Sequence, residues 1–359
     1  LFAAMISRNT AGVRGSVFPG SGDGSGSGRG LGGWLLTWGI VLCGIAAVAS
    51  GATETGSATL AQASGGGGVE SMRLSEVGET ISEWRLALLI SGSVLVVVML
   101  WAGDAIRPGS MQRAGLRNVK PLPAPVWLLS ACIAMLAPGL VAAPLSQMEF
   151  LVGSDTDSLA SMAKVQGIAY LAGIVVAIGL VIMASKAAAQ SGLKLHWVDL
   201  AVGLGLLLLV FPIVLLSGDL AQLVHRELRG GETEHLAHPM LQMMVDNKDS
   251  PWTWVLIASA VIGAPIVEEA VYRGFLQSGL LRLTNHAWIS IITAAAVFGT
   301  VHALGPSDQS LPWYAAVQVG VLGLCCGAAF ERTKRLSVPI AMHAAFNAVN
   351  VGLAMWGAS

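Results

Sequence analysis

Two adjacent glutamates, two histidines and an asparagine stand in segments that are otherwise apolar: Glu268, Glu269, His302, His343 and Asn347. An ionisable side chain placed at membrane depth costs roughly 2.5–3.5 kcal/mol on insertion scales, so each needs a reason to be there. A carboxylate can take a proton from water, imidazoles can share it, and an amide can donate to a developing oxyanion. Together these make a hydrolytic site that needs no Ser, Cys or Thr nucleophile. Glu269 and Arg273 are four residues apart in the order that favours a helical ion pair. Glu268 points about 100° away around the same helix, which leaves it the freer carboxylate and the candidate base. Asn347 follows His343 by four and projects from the same helix face.

Other readings use the same residues. Interhelical hydrogen bonding accounts for any one of them, but packing alone rarely needs so many ionisable groups in one layer. A non-enzymatic immunity or chaperone-like protein would keep the cluster for binding. A proton-coupled transporter would use the glutamates as a relay, and would more often show inverted repeats, of which the sequence has none. A catalytic zinc takes three protein ligands, and the donors on offer are His302, His343 and Glu269 or Glu268. Giving one glutamate to a metal and the other to Arg273 leaves no base. No cofactor is therefore assigned, and zinc stays an open alternative.

The elements that must position these residues are membrane helices. The 359 residues are 54% hydrophobic and 11% charged, against roughly 25% charged in soluble domains, and mean hydropathy is +0.69. A net charge of −1 offers no basic surface to nucleic acid. About 20 apolar residues cross a bilayer core, and stretches of that kind recur near 86–102, 126–147, 166–185, 198–217, 252–275, 287–304, 312–330 and 338–356. The expected fold is all-α, a polytopic transmembrane bundle of about eight core spans plus an N-terminal signal peptide or anchor. Residues 1–33 read as a flexible segment, 34–52 as the signal peptide or anchor, and 53–85 as an acidic Gly-rich linker. Residues 86–250 hold the earlier spans and loops, and 251–359 the catalytic region.

Loop charge alternates. Arg107, Arg113, Arg117 and Lys120 follow the first span and Glu149, Asp155 and Asp157 the second, so the basic loops are expected in the cytoplasm and the Asp219 to Asp249 loop outside. An interfacial helix is expected over 218–228. His235 and His238 in that loop lack a third ligand and read as solvated. Cys43, Cys132, Cys325 and Cys326 read as small apolar residues, Gly320, Gly323 and Gly327 as a close-packing stripe, and Trp252, Trp254, Trp288 and Trp313 as an interfacial belt. Depth poses a difficulty. Glu268 and His302 lie roughly 21 Å from their cytoplasmic helix ends but His343 only about 8 Å, so the last span must be tilted or begin before Val338.

Three ordered motifs carry a resemblance: EExxxR over Glu268, Glu269, Tyr272 and Arg273, FxxxH over Phe298 and His302, and HxxxN over His343 and Asn347. The region from about Ala260 to Gly352 resembles the CPBP family of intramembrane proteases, the CAAX prenyl protease-like, bacteriocin-processing and abortive-infection group. Tyr272 stands where Phe is common. The resemblance implies that Glu268 activates water with His302, that His343 and Asn347 stabilise the oxyanion, and that Glu269, Tyr272 and Arg273 support them. It further implies an integral, multi-pass protein of a bacterial inner membrane, with lipid and a membrane-associated or lipidated peptide as partners.

Overall fold

The computed structural model describes residues 68–153, 158–229, 239–304 and 311–357, and among these there is no strand. Expectations for the leader, for Cys43 and for His235 and His238 lie outside the described residues. The helices are α1 (Gly68–Ala102), the short α2 (Ser110–Arg113), α3 (Ala124–Leu145), the short α4 (Glu149–Val152), α5 (Leu159–Ala187), α6 (Asp199–Arg229) and α7 (Pro239–Asp246). They continue with α8 (Pro251–Thr284), α9 (Ala287–Ala303), α10 (Trp313–Thr333) and α11 (Ser337–Gly357). Seven are long and apolar enough to cross a membrane, and α9 is a shorter apolar helix of 17 residues. The chain is a polytopic helical bundle, and each of the eight expected spans falls on one of its helices.

Two boundaries differ from expectation. Residues 218–228 form no separate interfacial helix; they are the closing turns of α6, which runs unbroken to Arg229. α1 starts at Gly68, inside the stretch read as linker, and its apolar part begins at Trp84. Low hydrophobicity marks where a helix leaves the apolar layer, not where its backbone hydrogen bonding stops.

α8 occupies the middle. α3 and α5 cover one side of it around Trp127, Val267, Phe275 and Phe298. α6 joins α10 and α11 through a second core around Leu207, Leu322 and Met342. One end of the bundle is closed by the loops around residues 103–123 and 188–198. There the Leu336 N–H donates to Gly192 O at 3.0 Å, Lys334 Nζ to Ala114 O at 3.3 Å, and Arg332 to the carbonyls of Asp104 and Ala105.

That floor resolves the depth difficulty. His302 lies about 22 Å along α9 from Ala287, and His343 only about 9 Å along α11 from Ser337, at 1.5 Å per residue. Both nevertheless reach Glu268, so the α10–α11 turn stands deeper in the bundle than the α8–α9 turn. The loops fill the space beneath it. Ser337 Oγ at 2.5 Å and Arg335 Nη1 at 2.7 Å bind the buried Asp199 carboxylate and hold the start of α11 at that level.

Candidate active site

The carboxylates sit between two irregularities of α8. Wide π turns occupy Ser259–Gly263 and Ala270–Leu276, and a short α segment, Ala264–Glu269, carries Glu268 and Glu269 between them. Such bulges alter the azimuth of whatever follows, and they gather at functional sites. The first has a visible cause. The Ala264 N–H bonds Ser259 O, five residues back, and the next residue is Pro265, which has no N–H.

Glu269 and Arg273 form the expected ion pair at 2.8 Å and are sealed from solvent. The same Glu269 Oε1 accepts from His343 Nδ1 at 2.9 Å, so one carboxylate oxygen holds both a cation and an imidazole. The Phe298 ring is the hub of the apolar packing around them. Arg273 lies over it at 4.4 Å, His302 and His343 meet it at 4.5 and 5.7 Å between ring centres, and Tyr272 packs edge-on at 4.8 Å. Arg273 Nη2 has no hydrogen-bond partner and faces Gly323 of α10, where a methyl group would stand 2.9 Å from it and from Phe298. The small-residue stripe on α10 is thus what admits a guanidinium between helices.

Glu268 is the accessible member. Its side chain is 23% exposed and that of His302 24%, against 0% for Glu269. Its Oε2 lies 3.8 Å from His302 Nε2 and 3.9 Å from His343 Nε2. The other nitrogen of each ring is committed: His302 Nδ1 bonds Phe298 O at 2.8 Å, and His343 Nδ1 bonds Glu269. Both of those partners can only accept, so Nδ1 carries the proton on each ring and both Nε2 lone pairs face Glu268. Three acceptors then converge without a donor among them. Two acceptors 3.8 Å apart can share one water at ordinary hydrogen-bond distance.

Glu269 is not free to bind a metal in this arrangement. Glu269 Oε1 is taken by Arg273 and by the far nitrogen of His343, so the ligand set His302, His343 and Glu269 does not converge. Among the described residues no three His, Cys, Asp or Glu side chains group closely enough to hold an ion.

Asn347 departs from its expected aim: its Nδ2 donates to the backbone carbonyl of Ala260 at 2.8 Å. A second polar cluster escaped the sequence reading altogether. Arg117, counted above among the basic charges of the first cytoplasmic loop, is buried; it pairs with Glu331 at 2.6 Å, donates to Ser191 O and Ser278 Oγ, and stacks on Phe330. Gln277, one turn beyond Arg273, joins through Glu331 Oε1 at 3.0 Å. Glu331 at the border of an apolar span was the one available signal.

Residues 250–349 match the family model described as Rce1-like, Type II CAAX prenyl endopeptidase. The uncharacterized protein YyaK of Bacillus subtilis (strain 168) is 26% identical over 117 residues, 32% of this chain and 39% of YyaK, so the match spans well under half of that relative. No solved structure matches the chain. All the residues of the Glu268 cluster fall within the matched segment, so the region of this multi-pass membrane protein that carries the three motifs is also the region similar to the Rce1-like CAAX endopeptidases.

Proposed function

We propose that the protein is an intramembrane endopeptidase in which Glu268 is the general base, acting on a membrane-associated peptide of the CAAX type. The observation that carries this reading is the pair of Nε2 atoms turned on Glu268 Oε2 at 3.8 and 3.9 Å, each ring locked by its other nitrogen. Water held by Glu268 and His302 attacks the scissile carbonyl carbon and gives its proton to Glu268. The oxyanion develops on the His343 side of the scissile carbon, where that ring is fixed by the bond from its Nδ1–H to buried Glu269. The C–N bond then breaks and Glu268 returns the proton to the leaving amine. Lipid surrounds the site on the membrane side, and we place the protein in a bacterial inner membrane.

The test is cleavage of a prenylated CAAX peptide by the full chain in lipid vesicles. Glu268→Gln keeps the size of the side chain and removes the base, so turnover should fall by about 10²–10⁴ with the thermal midpoint unchanged. Full activity in that variant would overturn the assignment.

A further inference from the structure

We propose that Asn347 is a positioning residue that sets the height and azimuth of Glu268 by capping a backbone carbonyl which the sequence of α8 leaves without a donor. In a regular helix the Ala260 carbonyl would accept from residue 264, and in a π helix from residue 265. Here the Ala264 N–H goes to Ser259 O, and residue 265 is proline. Neither ladder supplies a proton. A carbonyl left bare in an apolar layer keeps the cost of its lost hydration, and Asn347 Nδ2 fills the place at 2.8 Å from the facing helix α11. Asn347 stands one turn beyond His343. The same stretch of α11 therefore grips α8 at two points on either side of the Pro265 break: His343 on Glu269 and Asn347 on Ala260. Glu268 lies between those points, and its approach to His343 Nε2 follows from them.

This inference rests on the protease reading only for its kinetic arm. Hydrogen exchange tests the contact directly, in the full chain in lipid: Asn347→Leu keeps the size but offers the carbonyl no donor, and should speed exchange of amides 255–267. Unchanged exchange there overturns the proposal. The kinetic arm separates positioning from direct oxyanion donation by a double-mutant cycle, with cleavage of the prenylated peptide as readout. Asn347→Ala should lower kcat about tenfold with little change in KM, the equivalent of one unmade hydrogen bond. In the background of Pro265→Ala, which restores an N–H next to the bare carbonyl, the same substitution should cost under about threefold. An equal loss of kcat in both backgrounds would mean that Asn347 serves the oxyanion directly and would overturn the positioning role. Should the chain not be a protease, the wild type is as silent as the variants, and exchange alone decides.

Discussion

Glu269 accepts from His343 Nδ1 at 2.9 Å, and by that bond a carboxylate buried in α8 decides which nitrogen of an imidazole on α11 faces Glu268. The two glutamates differ in burial, Glu269 sealed and Glu268 partly open, and the proposed mechanism gives the chemistry to the open one.

Glu269→Gln tests that division. It leaves Arg273, 1% exposed, without its counter-charge, and removing one partner of a buried pair costs about 3–5 kcal/mol. A thermal melt in detergent should show a large loss of folded protein, unlike Glu268→Gln. Replacing both members, Glu269→Met with Arg273→Met, should recover folded protein without recovering cleavage. A full recovery of cleavage would show that Glu269 does not orient His343.

Much of this was legible because membrane insertion penalises charge. In a chain so poor in ionisable groups, Glu268, Glu269, His302 and His343 mark themselves, and the i,i+4 spacing of Glu269 and Arg273 names its own partner. Asn347 was harder. Its partner is a backbone carbonyl that becomes available only through the shifted hydrogen bonding before Pro265, and a residue list does not display that shift. Arg117 misled for a related reason: a basic residue in a loop counts as solvated until a distant acidic residue, Glu331, is folded onto it. The helices themselves followed apolar runs closely, while their polar ends, as at Gly68 and Arg229, did not.

The Arg117–Glu331 pair touches neither histidine, so its role separates from catalysis. Glu331→Gln strands a guanidinium that is fully buried. It should destabilise the protein by about 3–5 kcal/mol and leave kcat per folded molecule within about twofold. A selective fall in kcat at normal stability would tie this cluster to the site through Gln277.

Gly323 gives a steric test. A methyl group there would lie 2.9 Å from both Arg273 Nη2 and a Phe298 ring carbon, whereas at Gly139 it would meet nothing within 4 Å. Gly323→Ala should cost about 1–3 kcal/mol by overpacking and reduce cleavage, because Phe298 packs against both histidines and Arg273 holds the Glu269 that binds His343. Gly139→Ala should do neither. Equal behaviour of the two variants in melts and assays would remove α10 from the support of the site.

Metal dependence follows from the donor set. Glu269 is occupied by Arg273 and His343, and Glu268 is kept as base, so two imidazoles alone remain; a catalytic zinc takes three protein ligands. Cleavage should survive chelation, with no stoichiometric zinc in elemental analysis of the purified protein. Reversible loss of cleavage on chelation, restored by zinc, would recast His302 and His343 as ligands.

Orientation is the last test, and the buried arginine changes its premises. The positive-inside rule counts charges that remain in water near the membrane, and Arg117 does not qualify. Arg107, Arg113 and Lys120 in the first loop are exposed, as are Lys186 and Lys194. Lys334 binds Ala114 O, so the α10–α11 turn belongs to the same end of the bundle. The bias therefore survives the loss of one charge, and that end should face the cytoplasm. Asp249, exposed and just ahead of α8, should lie on the other side. In a cysteine-free background, Lys120→Cys should react with a membrane-impermeant reagent only after the membrane is opened, and Asp249→Cys without opening. The reverse pattern would invert the topology and place the floor beneath α11 outside the cell.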